Sequence, residues 1–318
     1  MLITGVANFW GQRLAGALAD DSSVERVVGL DTRPPPASLG TRIEYVQADV
    51  RAPELPALLR GHEIDTVVHN DILQFAEPGR SSRSLHDVNV IGTLSLLTAC
   101  DRIETLRTLV VRGSAAIYGS EPSAPAFFTE DMARRYPLRT RFQRDIGELE
   151  NLFETFARRH PAVTCTMLRY QPVIGASLDN PITRLARARV VPTILGFDPR
   201  IQLLHEDDSV DALAAAVAHP VRGPVNVAGE GTVSLQRMLR RLGRPSVPIA
   251  APLFGTVAGA AARLGLPPIS ADTVRYLRYG RGVDITKLID EVGFRPRYTT
   301  PEAVEAVLRS VRATGVAA

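Results

Sequence analysis

Gly5, Asn8 and Gly11, close to the start of the chain, have the types and spacing to receive a phosphate. They lie between a short apolar run, Met1-Leu2-Ile3, and a helical pattern, Arg13-Leu14-Ala15-Gly16-Ala17-Leu18-Ala19. A strand, a tight turn and a helix in that order aim backbone N–H groups and the positive helix end at an anion. Gly5 can take the positive φ of the turn, and Gly11 lets the helix lie close to the first strand. Asn8 stands where a third glycine is expected. Asparagine is one of the few side chains that tolerates a left-handed backbone, so the turn is expected to survive. Alone, the stretch equally fits an ordinary strand-to-helix turn.

A carboxylate adds weight to the anion site. Val27-Val28-Gly29-Leu30-Asp31 reads as a second strand that ends on an acid, 20 residues after Gly11. An acid there hydrogen-bonds the adenosine ribose hydroxyls and repels a 2′-phosphate, which favours NAD over NADP; Arg33 softens that preference. A third unit, Ile43-Glu44-Tyr45-Val46-Gln47-Ala48-Asp49-Val50, follows. Turn, acid and third strand together point to a dinucleotide site. Further along, Arg134, Arg135, Arg139, Arg141 and Arg144 form a basic cluster. It fits either a solvated loop and helix face or a clamp for an anionic substrate such as a nucleoside diphosphate. No group of His, Cys and acids has metal-ligand spacing, so no metal is expected. His69 and His205 fit packed positions better than catalytic ones.

The elements that must position these groups alternate regularly in the first half. Strands are expected at Leu2–Thr4, Val27–Asp31, Glu44–Ala48, Thr66–His69, Thr108–Arg112 and Thr164–Arg169. Helices are expected at Gln12–Asp20, Pro53–Leu59, Ser84–Arg102 and Phe142–His160. That alternation argues for an α/β fold, a doubly wound parallel sheet covered on both faces. The last two helices are long and amphipathic, as a homodimer interface needs, and core packing explains them equally well. Pro34-Pro35-Pro36 marks an exposed loop. Past Gly175, proline and glycine punctuate shorter elements. Asp208 is placed to cap a helix over Val210–Ala218, Val225–Ala228 reads as one more strand, and the tail suggests a helix, an extended piece and a final helix over Pro301–Val311. The expected division is a dinucleotide-binding domain from 1–175 and 200–228 with a smaller substrate-binding cap from 176–199 and 229–318.

At 318 residues, with 45% hydrophobic and 22% charged residues, the chain can bury an ordinary globular core. Cys100 and Cys165 sit in apolar runs and do not make a disulfide framework, so a reducing cytoplasm is expected. Met1 opens a strand directly, and no leader is expected. The run from Ile249 to Ala262 is too short, and too broken by Pro252, to span a bilayer; a helical part of the cap is expected there. Lys287 is the sole lysine among 37 basic residues, a compositional bias of the coding sequence, and the net charge is only +3. No nucleic-acid or membrane partner is expected.

Read together, these features resemble the extended short-chain dehydrogenase/reductases of the NAD-dependent epimerase/dehydratase family, which includes UDP-galactose 4-epimerase. The likeness runs nearly end to end. Thr4-Gly5…Asn8…Gly11, with Phe9 and Trp10 inside it, is similar to the dinucleotide turn of the family. Asp31 with Thr32, and Asp49-Val50, resemble its ribose and adenine contacts. Asn89-Val90-Ile91-Gly92-Thr93 resembles its helix motif, whose asparagine braces the site. Ser114-Ala115-Ala116-Ile117-Tyr118-Gly119 resembles its serine motif, and Leu168-Arg169-Tyr170-Gln171-Pro172-Val173-Ile174-Gly175 the strand that leads into the substrate domain. Gly293-Phe294-Arg295-Pro296 is family-like as well. The resemblance implies cofactor contacts at Gly5, Asn8, Phe9, Trp10, Gly11, Asp31, Thr32, Asp49, Val50, Asn70, Asp71, Asn89 and Tyr170, with Ser114 at the substrate.

The chain departs from that pattern where protons move. Family members carry a tyrosine and, four residues later, a lysine early in the long helix after the serine motif. Aligning Glu150 with their later glutamate puts Phe142 and Ile146 at those positions, and no shift of register supplies a lysine. A phenol, with an unperturbed pKa near ~10, works near neutrality only beside a cation. The loss of a positioned acid–base group is roughly 10²–10⁴-fold. Asp145, a turn from Phe142, fits either a replacement base kept ionised by Arg141 or Arg144, or a surface ion-pair partner. Tyr118 and Tyr136 are other phenols nearby. After His69 the chain reads Asn70-Asp71-Ile72, and a carboxylate beside two phosphates needs a neutralising partner such as Arg80 or Arg83. The expected activity is an atypical NAD(P)-dependent epimerase, dehydratase or reductase acting on a nucleotide sugar or other hydroxylated small molecule. A catalytically inactive cofactor-binding regulator or scaffold, and a non-redox enzyme on the same fold, remain alternatives.

Overall fold

The computed structural model describes residues 1–74, 85–256 and 270–313. Seven strands make one sheet: β1 (Leu2–Thr4), β2 (Val27–Asp31), β3 (Ile43–Gln47), β4 (Thr66–His69), β5 (Thr108–Ser114), β6 (Thr164–Tyr170) and β7 (Gly223–Val227). Their order is β7-β6-β5-β4-β1-β2-β3, and every neighbouring pair is parallel. β1, β2 and β5 are apolar and almost wholly buried, as strands covered on both faces must be. The order reverses between β1 and β4, the place where open α/β sheets bind ligands.

Parallel strands require crossover connections, so the helix after each strand starts at the C-terminal edge of the sheet. Those helices are α1 (Phe9–Ala19), α2 (Leu55–Gly61), a π turn (Asp87–Ile91) that continues into α3 (Gly92–Cys100), α4 (Arg141–Arg159) and α5 (Glu206–Ala218). α2, α3 and α4 pack side by side, while α1 packs on α5. Thr140 starts α4 with a capping box: its hydroxyl accepts from Gln143 N, and the Gln143 side chain reaches back to the cap. The first turns of α1, the π segment and α4 therefore gather at one edge.

A second apolar cluster, including Ile174, Ile201, Leu235, Tyr276 and Val304, is built by short pieces. These are helices at Pro181–Arg187 and Leu235–Arg241, α6 (Ala271–Tyr279), the C-terminal helix Thr300–Ala313 and three two-stranded ladders. Side chains stitch it to the large sheet. Gln143 of α4 donates to Asp272 of α6 at 2.8 Å, and Arg275 of α6 reaches the Ser120 carbonyl at 2.9 Å and Glu121 at 2.7 Å. No helix among the described residues is long and apolar enough to cross a membrane.

Several boundaries differ from expectation. The third strand starts one residue early, and β5 and β6 run on to Ser114 and Tyr170. Helix α5 begins at Glu206, before the expected Val210, and its cap is His205 rather than Asp208. The His205 ring accepts from Asp207 N at 3.2 Å, and burial lowers its pKa, which keeps a nitrogen available. Asp208 instead receives the Arg297 and Tyr298 amides, both at 3.0 Å. In the 249–262 run residues 251–256 are helical, as expected, while 257–262 lie outside the described residues, as do Ser84, Arg80 and Arg83. Cys100 and Cys165 are free and buried, and burial pushes their thiols up to about 12 and about 11.

His69, at the end of β4, is wholly enclosed between Thr4 Oγ1 (2.8 Å from Nδ1) and Thr93 Oγ1 (2.9 Å from Nε2). The Thr93 hydroxyl donates to Asn89 O, so Nε2 carries the ring proton and Nδ1 accepts from Thr4. Burial and then the charge of Arg112 push this imidazole down to about 3. The unfolded chain protonates it near ~6.5. Its contribution to stability is full above that value and falls as the pH drops toward the folded value, by on the order of 1 kcal/mol per pH unit. Urea unfolding between about pH 7 and pH 4 should show this slope, and His69→Gln should flatten it; equal slopes in both proteins would contradict the assignment.

Candidate functional site

The turn after β1 has the shape that an anion site needs. Gly5 has φ +65°, and a Cβ built on Gly11 would meet the Gly5 carbonyl oxygen at 2.3 Å and Val6 Cα at 2.6 Å. Glycine is therefore required at both places, once for conformation and once for close approach. Asn8 corrects the expectation of a left-handed residue: its φ is −84°, and it serves as N-cap of α1, with Oδ1 accepting from Gly11 N at 2.8 Å. An extended, capping asparagine does what a third glycine would do by conformation alone. The Phe9 and Trp10 amides, first in the helix, have no partner among the described residues. They point the positive helix end at the sheet edge.

The acids that end the second strand and follow the third are already partnered. Asp31, at the end of β2, accepts from Ala7 N at 3.0 Å, and from Arg33 through its backbone N (3.0 Å), Nε (3.1 Å) and Nη2 (3.0 Å). Burial works to raise its pKa, but the hydrogen bonds and charge of Arg33 prevail and hold the carboxyl below its usual range. Thr32 is exposed and its carbonyl accepts from Gln47. Asp49 is gripped in the same way by Arg51, whose Nε lies at 2.8 Å, and Val50 is buried beside Gly92.

Between the turn and β5 lies a buried network. Asn70 donates to Asn8 Oδ1 at 2.8 Å and receives Arg112 Nε on its own Oδ1 at 2.7 Å. Arg112 Nη2 also reaches the carbonyls of Asn70 (3.1 Å) and Ile72 (2.5 Å), and its guanidinium stacks on Trp10 at 4.2 Å. Trp10 in turn donates to Ser209 Oγ at 2.8 Å. Asn89 pins the same loop from the other side, bonding both the N–H and the C=O of Leu73 at 2.8 Å. Asp71 packs against Gly5. Sequence reasoning gave Arg112 no role; the signal was a charged residue inside an otherwise apolar central strand.

The groups considered for proton transfer are sorted by the structure. Ser114 ends β5, where its Oγ accepts from Ala116 N at 3.2 Å and its O–H has no acceptor among the described residues. Asp145 is buried on α4 and pairs with His86 Nδ1 at 2.9 Å, a partner not foreseen because a histidine ahead of an Asn-Val-Ile-Gly-Thr motif carries no signal of its own. Phe142 is partly buried and Ile146 fully so. Lys287 donates to Arg222 O at 3.1 Å, just before β7 begins, which is the opposite edge of the sheet. Tyr118 is enclosed between Asn226 (2.7 Å) and Arg169 (2.8 Å), and burial pushes it up to about 12. Tyr136 donates to Ser123 O. Tyr170, implied at the cofactor by the resemblance, instead commits its hydroxyl to Ser209 O at 2.5 Å and lies in the core.

The arginine cluster does not converge. Arg134 bonds Asn151 and Gly147 O, Arg144 bonds Arg139 O, and Arg135 and Arg141 are exposed. Arg139 alone turns toward the cap, through Glu121, which it shares with Arg275. Because Arg33 neutralises Asp31, Arg33→Ala should uncover the carboxylate and weaken NADP relative to NAD by about tenfold, read by titration calorimetry. An unchanged ratio would mean that the ribose end binds elsewhere.

Comparison with known proteins agrees with this geometry. The model of the NAD dependent epimerase/dehydratase family matches residues 1–228. An uncharacterized protein of Mycobacterium tuberculosis is 34% identical over 97% of this chain and 83% of its own length. The UDP-glucuronic acid 4-epimerase of Bacillus cereus, solved with UDP-glucuronic acid and NAD, has TM-score 0.74 at 19% identity, covering 98% of this chain and 99% of that one. The dTDP-glucose 4,6-dehydratase of Bacillus anthracis, in complex with NAD, has TM-score 0.74 at 14% identity, covering 99% and 97%. The structural likenesses establish a shared fold. With the family match and the 34% relative, they place this chain in the NAD-dependent epimerase/dehydratase family.

Proposed function

We propose that the chain binds NAD, and NADP less well, at the sheet edge between β1, β4 and β5, and uses it in an epimerase- or dehydratase-type reaction on a nucleotide sugar. The observation that carries this is the turn itself. Gly5 and Gly11 leave no room for side chains, and the Phe9 and Trp10 amides open on the edge where β5 presents Ser114. These residues fit an anionic dinucleotide, and Arg112 beneath them adds the complementary charge.

In this reading Gly5, Asn8, Phe9, Trp10 and Gly11 hold the pyrophosphate, Asp31 and Thr32 the ribose, and Asp49 and Val50 the adenine. Asn70, Asp71 and Asn89 shape the loop beside it, while Tyr170 supports the floor from the core. Bound NAD supplies a hydride acceptor and donor. The chain's own part is to orient the substrate oxygen through Ser114 and to move its proton by a group other than a tyrosine–lysine couple, on the Asp145 side of α4. The cap over 176–199 and 229–318 takes the substrate. Among the described residues Arg275 Nε and Arg278 Nε on α6 and Ser120 Oγ are buried without hydrogen-bond partners, and such donors favour an anionic group of the nucleoside diphosphate kind. A cofactor-holding protein without turnover is the second reading, favoured by the apolar Phe142 and Ile146 and by the remote Lys287.

Protein purified without added cofactor and then denatured should release NAD, identified by mass spectrometry. Incubation with UDP-glucuronic acid or UDP-glucose and NAD should give an epimer or keto product by NMR. NAD without any product supports the second reading; no affinity for NAD overturns both. We further propose a homodimer formed through the helical face that exposes Ile91 (39%) and Leu94 (45%) beside α4. Light scattering should find two copies, and Ile91→Glu with Leu94→Glu should give one; a dimer that survives both changes contradicts this face.

A further inference from the structure

His86 and Asp145 form a pair whose burial is unequal. Their Nδ1 and Oδ1 atoms lie 2.9 Å apart, and the Asp145 side chain is 5% exposed against 33% for His86. Among the described residues His86 is the hydrogen-bond partner of the Asp145 carboxylate, and Nε2 of His86 has no partner. Asp145 stands in the second turn of α4, which begins at the C-terminal edge of the sheet, and His86 directly precedes the 87–91 turn. His86 lies one turn nearer that edge than Asn89, which holds the Leu73 backbone beside the proposed cofactor site. α4 rests on both the 87–91 turn behind His86 and the 115–118 turn that Ser114 caps. The pair therefore joins α4 to the helix that carries Asn89, with Asp145 one turn from Phe142, where the sequence lacks a proton carrier.

Resting on the NAD-dependent reading above, we propose that His86 is the catalytic group that takes and returns the substrate's hydroxyl proton, and that Asp145 is its positioning residue. A carboxylate only accepts hydrogen bonds, so Asp145 keeps the ring proton on Nδ1 and leaves the Nε2 lone pair facing outward. In the oxidative direction the substrate O–H bond breaks and its proton moves to Nε2. Bound NAD would take the carbinol hydrogen as hydride, so that the oxygen electron pair left by the proton would close the C=O bond. The imidazolium is stabilised by Asp145 until the proton is returned. An imidazole held by a carboxylate can transfer a proton without the neighbouring cation that a phenol needs, which fits the absence of a lysine here.

The test compares the full-length protein with His86→Ala and Asp145→Asn, using NAD with UDP-glucuronic acid and UDP-glucose. His86→Ala should lower kcat by about 100-fold at unchanged NAD affinity, and added imidazole should restore part of the rate. Asp145→Asn should lower kcat by about tenfold with little change in KM. Nitrogen NMR of the His86 ring should show Nε2 unprotonated, and a ring protonated at Nε2 overturns the proposal whatever the rates. Turnover by the wild-type protein that His86→Ala leaves within about threefold overturns the assignment but not the function. A wild-type protein that binds NAD without turning over either sugar overturns the function, and the assignment with it.

Discussion

The candidate site depends on a guanidinium held where a parallel sheet ordinarily carries only apolar side chains. Burying one ion costs several kcal/mol, and truncating a partner of such a charge is worse than never having had it. Arg112 offsets that cost with three hydrogen bonds to the 70–72 loop, each worth roughly 1.5–3 kcal/mol for a charged donor, and with the face of Trp10. The bonds also couple parts of the chain that are far apart in sequence. Asn70 carries the tie to Asn8 and hence to the α1 cap, while Trp10 carries it to Ser209 of α5. A positive charge fixed under a helix N-terminus makes the edge of the sheet attractive to an anion before any ligand arrives.

Much of the large sheet was legible because its signals are local. Apolar runs such as Val27–Leu30 and Leu109–Val111, with punctuation between them, identify buried parallel strands directly, and the Gly5–Gly11 turn has a steric requirement that residue type alone reveals. The misses have a common cause. Asn8, His205 and Asp208 were assigned by what their residue types favour, whereas their conformations follow from partners that only the fold supplies, such as the amides of Gly11, Asp207 and Tyr298. Arg112 and the His86–Asp145 pair are contacts across 42 and 59 residues of sequence, invisible to any reading of periodicity. Tyr170, inside a family-like motif, has a hydroxyl committed to Ser209 O, a partner 39 residues away that its residue type does not announce.

The chain thus joins an ordinary framework to a long helix, α4, that carries neither tyrosine nor lysine. It belongs to the NAD-dependent epimerase/dehydratase family, and the start of its long helix carries a partly buried Phe142 and a buried Ile146. Fold constrains where a ligand sits more than what happens to it. The buried Asp145 on α4, with His86 joined to it on the neighbouring helix, is the proposed substitute for the tyrosine and lysine.

The most direct test of the account is a crystal structure of the protein grown with NAD. The account predicts density for the pyrophosphate within hydrogen-bond distance of the Phe9 and Trp10 amides, with Arg112 still bonded to Asn70 below it and the nicotinamide ring extending toward Ser114. NAD bound at another surface, or an edge closed by the Asn8 and Trp10 side chains with no dinucleotide density, would contradict it.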